Sequence, residues 1–450
     1  KACVTACHAM NGLDDHETWR EVGLLVGGSY RLPVLQHVTT ACHHCVEPGC
    51  MSACPTLAYE KDAVTGIVKH LDDQCFGCQY CVLACPYEVP KYHAEKGIVR
   101  KCDMCSSRLK AGEAPACVQA CPHEAIRISL VNIAEVRAAS ATSAVLPTAP
   151  ASRFTLPTTR YSTERVAASM LRAGDEEDVV PEHNHVPLMA MLVLSQIAVG
   201  LMLAAIFSES SVRLGLVIAG FVLGLLAIVA ATSHLGRPWL AYRAVLGWRT
   251  SWLSREIIAF GVFQAMCSAA VAVTTFAVVG ESTMQWIIGA TTLTGLIGVY
   301  CSVMIYAVTP RTFWARPYTT VKFFGTTFFT AALVWLLLGP GATPAAIGMA
   351  SLALMKLIAE SRQRHAPGED RWAERSSRLL YGPLRQAWFF RAGSMLLCGV
   401  LGPMVLVAAP LSLPLLSIAI TVGSLISELV ERSLFFRAAA APRMPGGVVA

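Results

Sequence analysis

The sequence is poor in charge and poor in aromatic residues. Only 15% of its 450 residues are Asp, Glu, Lys or Arg, 8% are aromatic, and the formal net charge is +6. So small an excess excludes a nucleic-acid-binding surface, because the arginines cluster between apolar runs rather than along a basic stripe. Cysteine is nearly missing from residues 186–437, which hold only Cys267, Cys301 and Cys398. These three stand singly in apolar runs, as packing residues do. The opening lacks an initiator Met and a signal peptide. Residues 131–185 lack apolar periodicity and are rich in Ala, Ser, Thr and Pro, so they read as an extended tether. The acidic stretch Gly174–His185 at its end reads as a solvated approach to a bilayer, with His183 and His185 solvated rather than metal-bound.

What is present is divided sharply. Residues 1–130 are polar and hold 14 of the 17 cysteines. Cys75, Cys78, Cys81 and Cys85 follow C-x2-C-x2-C-x3-C-P, the ferredoxin run for a 4Fe–4S cluster. Three closely spaced thiolates wrap one cubane, and the fourth, before Pro86, ligates a neighbouring one. Cys42, Cys45, Cys50 and Cys54 repeat the pattern before Pro55, and Cys102, Cys105, Cys117 and Cys121 repeat it before Pro122. Cys3 and Cys7 are spaced like the last two cysteines of another such run. The chain begins inside that run, so four motifs and four clusters are expected of the complete protein. Zinc ribbons use paired C-x2-C without this trailing Cys-Pro. Disulfides among so many close thiols would be strained and need an oxidising compartment. Iron–sulfur clusters are the reading that fits all the motifs.

Mean hydropathy over the whole chain is +0.51, and the apolar share lies in eight runs, at about 188–207, 213–233, 257–280, 285–308, 323–339, 343–360, 391–409 and 411–430. Most reach the ~20 residues that cross a bilayer; the fifth and sixth are short. Arg237, Arg243, Arg249 and Arg255 lie between runs two and three. Arg311, Arg316 and Lys322 follow run four. Arg362, Arg364, Arg371, Arg375, Arg378, Arg385 and Arg391 lie at or between runs six and seven, and Arg432, Arg437 and Arg443 mark the tail. The opposite loops offer only Arg213. Positive charge stays cytoplasmic, so the cysteine-rich domain is expected on the cytoplasmic side of an inner membrane. Trp239, Trp248, Trp252, Trp314 and Trp388 read as interface-belt aromatics. Lys356 reads as a snorkelling lysine, and Glu428, Glu431 and Arg432 as anchors of the last helix end.

Residues 1–130 resemble the four-cluster iron–sulfur subunit of dimethyl sulfoxide reductase-type molybdoenzymes. Residues 186–437 resemble the eight-helix membrane anchor of the same enzymes, on the strength of "SHLGRPWLAYRAVLGWRTSWLSREI" at 233–257 and "SELVERSLFF" at 427–436. The resemblance implies an α+β ferredoxin-like four-cluster domain followed by an all-α eight-helix transmembrane domain. Its bounds are 1–130, a linker at 131–185, the anchor at 186–437 and a tail at 438–450. It also implies the ligand sets. Cys42, Cys45, Cys50 and Cys85 would hold one cluster, and Cys75, Cys78, Cys81 and Cys54 the one nearest the membrane. Cys102, Cys105, Cys117 and Cys7 would hold a third. Cys3 and Cys121 would belong to a fourth whose other two ligands are not in this sequence.

His234 ends the second run and Glu256 opens the third, both at the edge of the bilayer. Tyr306 and Arg311 fall at the same level. Quinone chemistry exchanges protons with electrons, and a His with a carboxylate relay suits it. The alternative is that Glu256 caps its helix and pairs with Arg255 or Arg237, while His234 merely ends one. The resemblance favours the first, because the family's menaquinone site uses a His and a Glu in matching motif positions. The reading is thus a non-catalytic electron-transfer subunit with a quinone-reactive anchor. Its partners would be the quinone pool, the lipid bilayer and a molybdopterin catalytic subunit acting on S- or N-oxides such as dimethyl sulfoxide. One alternative runs in reverse with a cytoplasmic sulfite dehydrogenase. Another, an ion-translocating ferredoxin-linked quinone oxidoreductase module, needs carboxylates deep in the helices, and none is expected near the midplane.

Overall fold

In the computed structural model the described residues are 1–29, 32–146, 148–163, 170–338, 342–365, 370–408 and 414–446. Parts of the expected tether (147 and 164–169), the expected run ends at 339, 409 and 411–413, and the tail from 447 lie outside them. The chain forms two compact units. One comprises Lys1–Val179, Leu235–Ser251 and Ala441–Ala450, the other Val180–His234 and Trp252–Ala440.

The first unit is α+β, and its elements repeat as the cysteines do. Helices α1 (Ala2–Met10), α2 (Gly49–Ala53), α3 (Tyr80–Ala84) and α5 (Ala116–Gln119) each span the interval between the third and fourth cysteine position of a motif. In the last three motifs Pro follows the fourth cysteine, which denies that cysteine the helical region and ends the turn there. Two short antiparallel hairpins accompany them. The first pairs β3 (Tyr59–Lys61) with β4 (Val68–His70), and the second pairs β5 (Lys91–His93) with β6 (Ile98–Arg100). Ala58, Tyr59, Val68, Ile98 and Val99 form a small core with the cysteines Cys50, Cys54, Cys75 and Cys81. Helix α4 (Ser106–Lys110) fills the wider interval between Cys105 and Cys117.

A third sheet lies outside the motifs. β1 (Glu21–Ser29) pairs with β2 (Leu32–Thr40) from Glu21↔Thr40 to Ser29↔Leu32, and β7 (Leu171–Ala173) adds to the other edge of β1. The expected tether is therefore structured where it is described. Asn132 caps α6 (Ile133–Thr142) by accepting a hydrogen bond from Ala134 N, and β7 is a sheet strand. Its lack of periodicity reflects short elements that bury one or two residues each, Val136 and Ser140 in α6.

The second unit is all-α. Its long helices are α7 (Val186–Ile206), α8 (Ser210–Ser233), α9 (Trp252–Phe276), α10 (Glu281–Ala307), α11 (Arg316–Leu338) and α12 (Ala342–Arg364). After the short amphipathic α13 (Arg371–Tyr381) come α14 (Arg385–Leu396), a π turn at Leu397–Leu401, α15 (Gly402–Ala408) and α16 (Pro414–Arg437). Taking Arg385–Ala408 as one span, eight helices among the described residues are long and apolar enough to cross a membrane. The expected short fifth and sixth runs are full spans of 23 residues each. They looked short because Lys322, Glu360 and other charged residues, buried in the protein, interrupt their hydropathy. Helix α7 packs against α8, α10, α11 and α16, and Gly200 lets it approach α11: a Cβ there would lie 2.6 Å from Thr327 O.

Candidate iron–sulfur and quinone sites

Three cavities in the first unit are each lined by four or more thiols. One of about 360 Å³ is lined by Cys42, Cys45, Cys50 and Cys85. Another of about 270 Å³ is lined by Cys54, Cys75, Cys78 and Cys81. The third is wider and is lined by Cys7, Cys102, Cys105 and Cys117, and also by Cys42, which it shares with the first. Each grouping draws its fourth cysteine from a different motif. Cys3 instead meets Thr39 Oγ1 at 3.6 Å, and Cys121 accepts from Ala125 N at 3.2 Å. Neither lines the three cavities.

The local geometry explains how short loops gather thiols. In the first C-x2-C turn of each of the three complete runs the residue before the second cysteine has positive φ: His44 at 40°, Gly77 at 77° and Met104 at 61°. That left-handed step reverses the chain so that both thiols face inward. Only Gly77 takes it without steric cost. Backbone N–H groups then reach the sulfurs, Ala58 N to Cys54 at 3.2 Å and Met104 N to Cys102 at 3.4 Å. Donors of this kind favour thiolate over thiol, and four sulfurs around one cavity could hold a 4Fe–4S cluster.

Two buried basic side chains lie beside the first and third thiol groups, and neither was singled out in the sequence. Lys101 Nζ donates to the Cys102 and Val68 carbonyls and interacts with Cys42, Cys50 and Cys102. His44 Nδ1 accepts from Val68 N, and the ring faces Cys42 and Cys102. Burial raises the Cys42 thiol, but the charges of His44 and Lys101 outweigh it and bring it down to about 6. By contrast, burial and the nearby thiols push Cys7 up to about 12. The signal available was local: Lys101 directly precedes Cys102, and His44 lies inside its C-x2-C turn.

The loop Leu235–Ser251 belongs to the same unit. Arg237 donates to the carbonyls of Asp72 (2.9 Å) and Lys96 (3.2 Å), and its N–H to Phe76 O (3.0 Å). Arg243 Nη1 reaches Asp73 O at 3.1 Å. Gly247 N donates to Pro55 O at 2.8 Å, and Ser251 Oγ to Ala53 O at 2.6 Å. Gly236 lies so close to Gly97 that a Cβ would meet Gly97 O at 2.2 Å. Every one of these acceptors flanks the Cys54, Cys75, Cys78 and Cys81 group in sequence or in the hairpins over it. Arg237 is thus engaged with the cysteine-rich lobe rather than with Glu256.

In the second unit Glu256 is 4% exposed, five residues into α9. Its Oε1 accepts from Ser302 Oγ of α10, so it does not cap its own helix. Ser302 and Tyr306 are four residues apart and share one face of α10. Tyr306 is enclosed edge-on by Trp314, Phe323, Phe435 and Phe436. Arg311 stacks its guanidinium 4.9 Å from the Trp314 ring centre and donates to Ala439 O at 3.0 Å. His234 follows α8, and burial lowers it to about 4, so its ring is neutral near pH 7. His185, expected to be solvated, packs its ring 5.6 Å from Phe436 and interacts electrostatically with both His234 and Arg311. It therefore joins His234 to the Tyr306–Arg311 group. The sequence hid it inside a stretch whose acidic composition looked exposed.

Several other expectations change. Trp314 is 1% exposed and donates Nε1–H to Phe435 O, so it is core rather than belt. Lys356 is fully buried instead of snorkelling, 2.5 Å from Glu428. Glu360, Glu428 and Glu431 are all buried within helices, so the spans do contain interior carboxylates. Arg391 and Arg432 are buried as well and leave the count of loop charges. Each charge interrupts a hydropathy plot but is matched by a partner on another helix, which a single run cannot reveal.

Residues 34–130 match the family described as "4Fe-4S dicluster domain", and residues 181–365 match "DMSO reductase anchor subunit (DmsC)". The chain is similar to the B subunit of the anaerobic dimethyl sulfoxide reductase of Haemophilus influenzae, 34% identical over 166 residues, which are 35% of this chain and 80% of that protein. It is similar to the thiosulfate reductase electron transfer subunit PhsB of Salmonella typhi, 35% identical over 140 residues, 30% of this chain and 72% of that protein. It is also similar to the hydrogenase-2 operon protein HybA of Escherichia coli O157:H7, 45% identical over 96 residues, 20% of this chain and 29% of that protein. A four-thiol ligand fold, eight spans and these matches agree: the chain is a multi-pass membrane protein of the dimethyl sulfoxide reductase family, an iron–sulfur electron-transfer subunit continued in one polypeptide by its membrane anchor.

Proposed function

We propose that the chain exchanges electrons between a membrane quinone and a separate molybdopterin subunit that reduces an S- or N-oxide, dimethyl sulfoxide or thiosulfate being the substrates that its relatives' names suggest. The observation that carries this reading is the coexistence, in one family member, of three thiol-lined cavities with two candidate proton carriers, a half-buried His234 and a buried Glu256. Cys42, Cys45, Cys50 and Cys85, then Cys54, Cys75, Cys78 and Cys81, then Cys7, Cys102, Cys105 and Cys117 would hold 4Fe–4S clusters. Such clusters, when bound, supply one-electron carriers.

The chain's own residues handle the protons. A neutral His234 can accept or donate a hydrogen bond at a quinone oxygen. Glu256, held by Ser302, can take the proton that quinol oxidation releases and pass it toward water. Tyr306 and Arg311, packed with Trp314, Phe435 and Phe436, would hold the helix ends that carry these groups. The cysteine-rich lobe is assigned to the cytoplasmic side by the remaining loop arginines, Arg237, Arg243, Arg249, Arg316 and Arg362 among them. A reversed direction, with a cytoplasmic partner oxidising sulfite, uses the same residues. Reconstitution with menaquinol tests the reading. Quinol should reduce the bound iron in the wild type, and His234→Ala should abolish this while dithionite still reduces it. Full quinol reduction in that variant would refute the site.

A further inference from the structure

The most costly feature of the second unit has no part in quinone chemistry as described above. Seven ionisable side chains are buried together inside its helices: Lys322, Lys356, Glu360, Arg391, Glu428, Glu431 and Arg432. They form an almost closed ring. Glu360 Oε1 meets Arg391 Nη2 at 3.1 Å, and Arg391 Nη1 meets Glu428 Oε1 at 3.4 Å. Lys356 Nζ bridges Glu428 (2.5 Å) and Thr326 Oγ1 (2.9 Å), and Arg432 Nη2 donates to the same Thr326 oxygen at 3.0 Å. Arg432 pairs with Glu431, and Glu431 Oε1 stands 3.7 Å from Lys322 Nζ.

The ring is open at one place. Lys322 and Glu360 face a common small chamber, lined also by Gln363, Trp388 and Glu431. Two polar atoms there have no hydrogen-bond partner among the described residues: Gln363 Oε1 and Trp388 Nε1. Gln363 is 5% exposed and Glu431 1%. Buried polar atoms without partners are costly unless water reaches them, and the space open to water centres in the chamber, about 10 Å³, is that of a single molecule. Lys322 has the loosest ion pair of the ring, and its ammonium otherwise rests on the faces of Phe313 (4.7 Å) and Phe435 (5.5 Å).

Charge balance selects the titrating group. Lys322, Lys356, Arg391 and Arg432 set four positive charges against the three negative charges of Glu360, Glu428 and Glu431. Protonating a carboxylate would increase the imbalance, whereas loss of one proton from a lysine removes it. Lys356 is held by two oxygens of Glu428 and by Thr326, which leaves Lys322. We propose that this chamber is a hydrated proton-exchange site of the anchor, separate from His234 and Glu256, at which Lys322 releases and rebinds a proton. In the release step a Lys322 N–H bond breaks, its electron pair stays on Nζ, and the proton passes to chamber water. Every neighbouring element bears on that step. Glu360 and Lys356 come from α12, as does Arg364, whose guanidinium lies 4.1 Å over the Trp388 ring that lines the chamber; Arg391 comes from α14, Glu428, Glu431 and Arg432 from α16, Gln196 from α7 through Arg432, and Tyr306 from α10 through its interaction with Arg432.

The test is infrared titration of the complete chain in nanodiscs, with ¹³C-labelled glutamate. Loss of the Lys322 charge alters the field at Glu431, so its carboxylate stretch should shift as pH is raised from about 5 to about 10. Glu431→Gln identifies the band by removing it. Lys322→Arg keeps the positive charge but cannot release the proton, so the band should persist and stop titrating. Should that variant not fold, Lys322→Met must silence the titration equally. Gln363→Leu leaves every ion pair intact and should slow hydrogen–deuterium exchange at the site at least tenfold. A wild-type band that is flat with pH, or a titration that persists unchanged in Lys322→Arg or Lys322→Met, would show the ring to be an inert clamp and overturn the proposal.

Discussion

At the scale of single residues, burial decides what each ionisable group does. Ser302 is the partner of the Glu256 carboxylate. Glu256→Gln keeps a hydrogen-bonding shape and loses a proton carrier, so quinol oxidation should slow in kcat more than KM rises. Ser302→Ala should produce a milder version of the same split, measured as steady-state quinol oxidation. His234 adds a pH signature. Its value is about 4 in the fold against 6.5 ordinarily. Between those limits the unfolded chain binds the extra proton, so this group makes stability fall as pH drops from about 6.5 toward 4. His234→Ala should flatten that acid limb in thermal melts followed by circular dichroism. Lys356→Met leaves Glu428 with Arg391 and Thr326 alone. Losing one partner of a buried pair should cost about 3–5 kcal/mol, read from denaturation in detergent.

At the scale of elements, the loop Leu235–Ser251 is fixed by backbone carbonyls and one glycine contact. Gly236→Val places atoms where Gly97 O already lies, so the loop should detach locally. Arg237 and Arg243 would then become faster trypsin sites, while Arg237→Ala should release it less completely. Unchanged cleavage kinetics in Gly236→Val would contradict this account of how the loop is held. The same loop marks what a sequence can and cannot tell. The cysteine spacing made the thiol runs legible, since each run closing on Cys-Pro is a local device, whereas the grouping of a fourth cysteine with another run came from the resemblance and not from spacing. Eight spans were legible from composition. The β1–β2 hairpin, with Leu25 buried against Val38 and Leu171, was not, because β7 joins it from well over a hundred residues away. His44, Lys101, His185 and the buried ion ring were missed for one physical reason: their partners are distant in the chain, and burial is a property of the partners.

At the scale of the whole molecule, orientation remains a matter of loop charge. Arg213 is neutralised by Glu281 at 2.6 Å, so the loop opposite the arginine-rich ones carries even less free charge than its composition indicates. Fusions to a periplasm-active reporter should be active at Glu281 and silent after Arg437. The opposite pattern would place the cysteine-rich lobe outside. Iron content is a second global measure. Three complete thiol sets should retain about twelve irons per chain, and Cys85→Ala should remove about four while leaving the remainder reducible.

The clamp of Leu235–Ser251 on the lobe has a consequence for how such proteins assemble. Were the two parts separate polypeptides, this contact would have to be found by diffusion. Here both partners are parts of one chain, and the second encounter is governed by an effective concentration rather than a bulk one. A handful of carbonyl hydrogen bonds and one glycine contact, too few to recruit a free subunit from dilute solution, are then sufficient to keep the loop seated. Gene fusion has in this sense replaced an affinity with a tether, and contacts in this loop are free to weaken without the subunits ever parting.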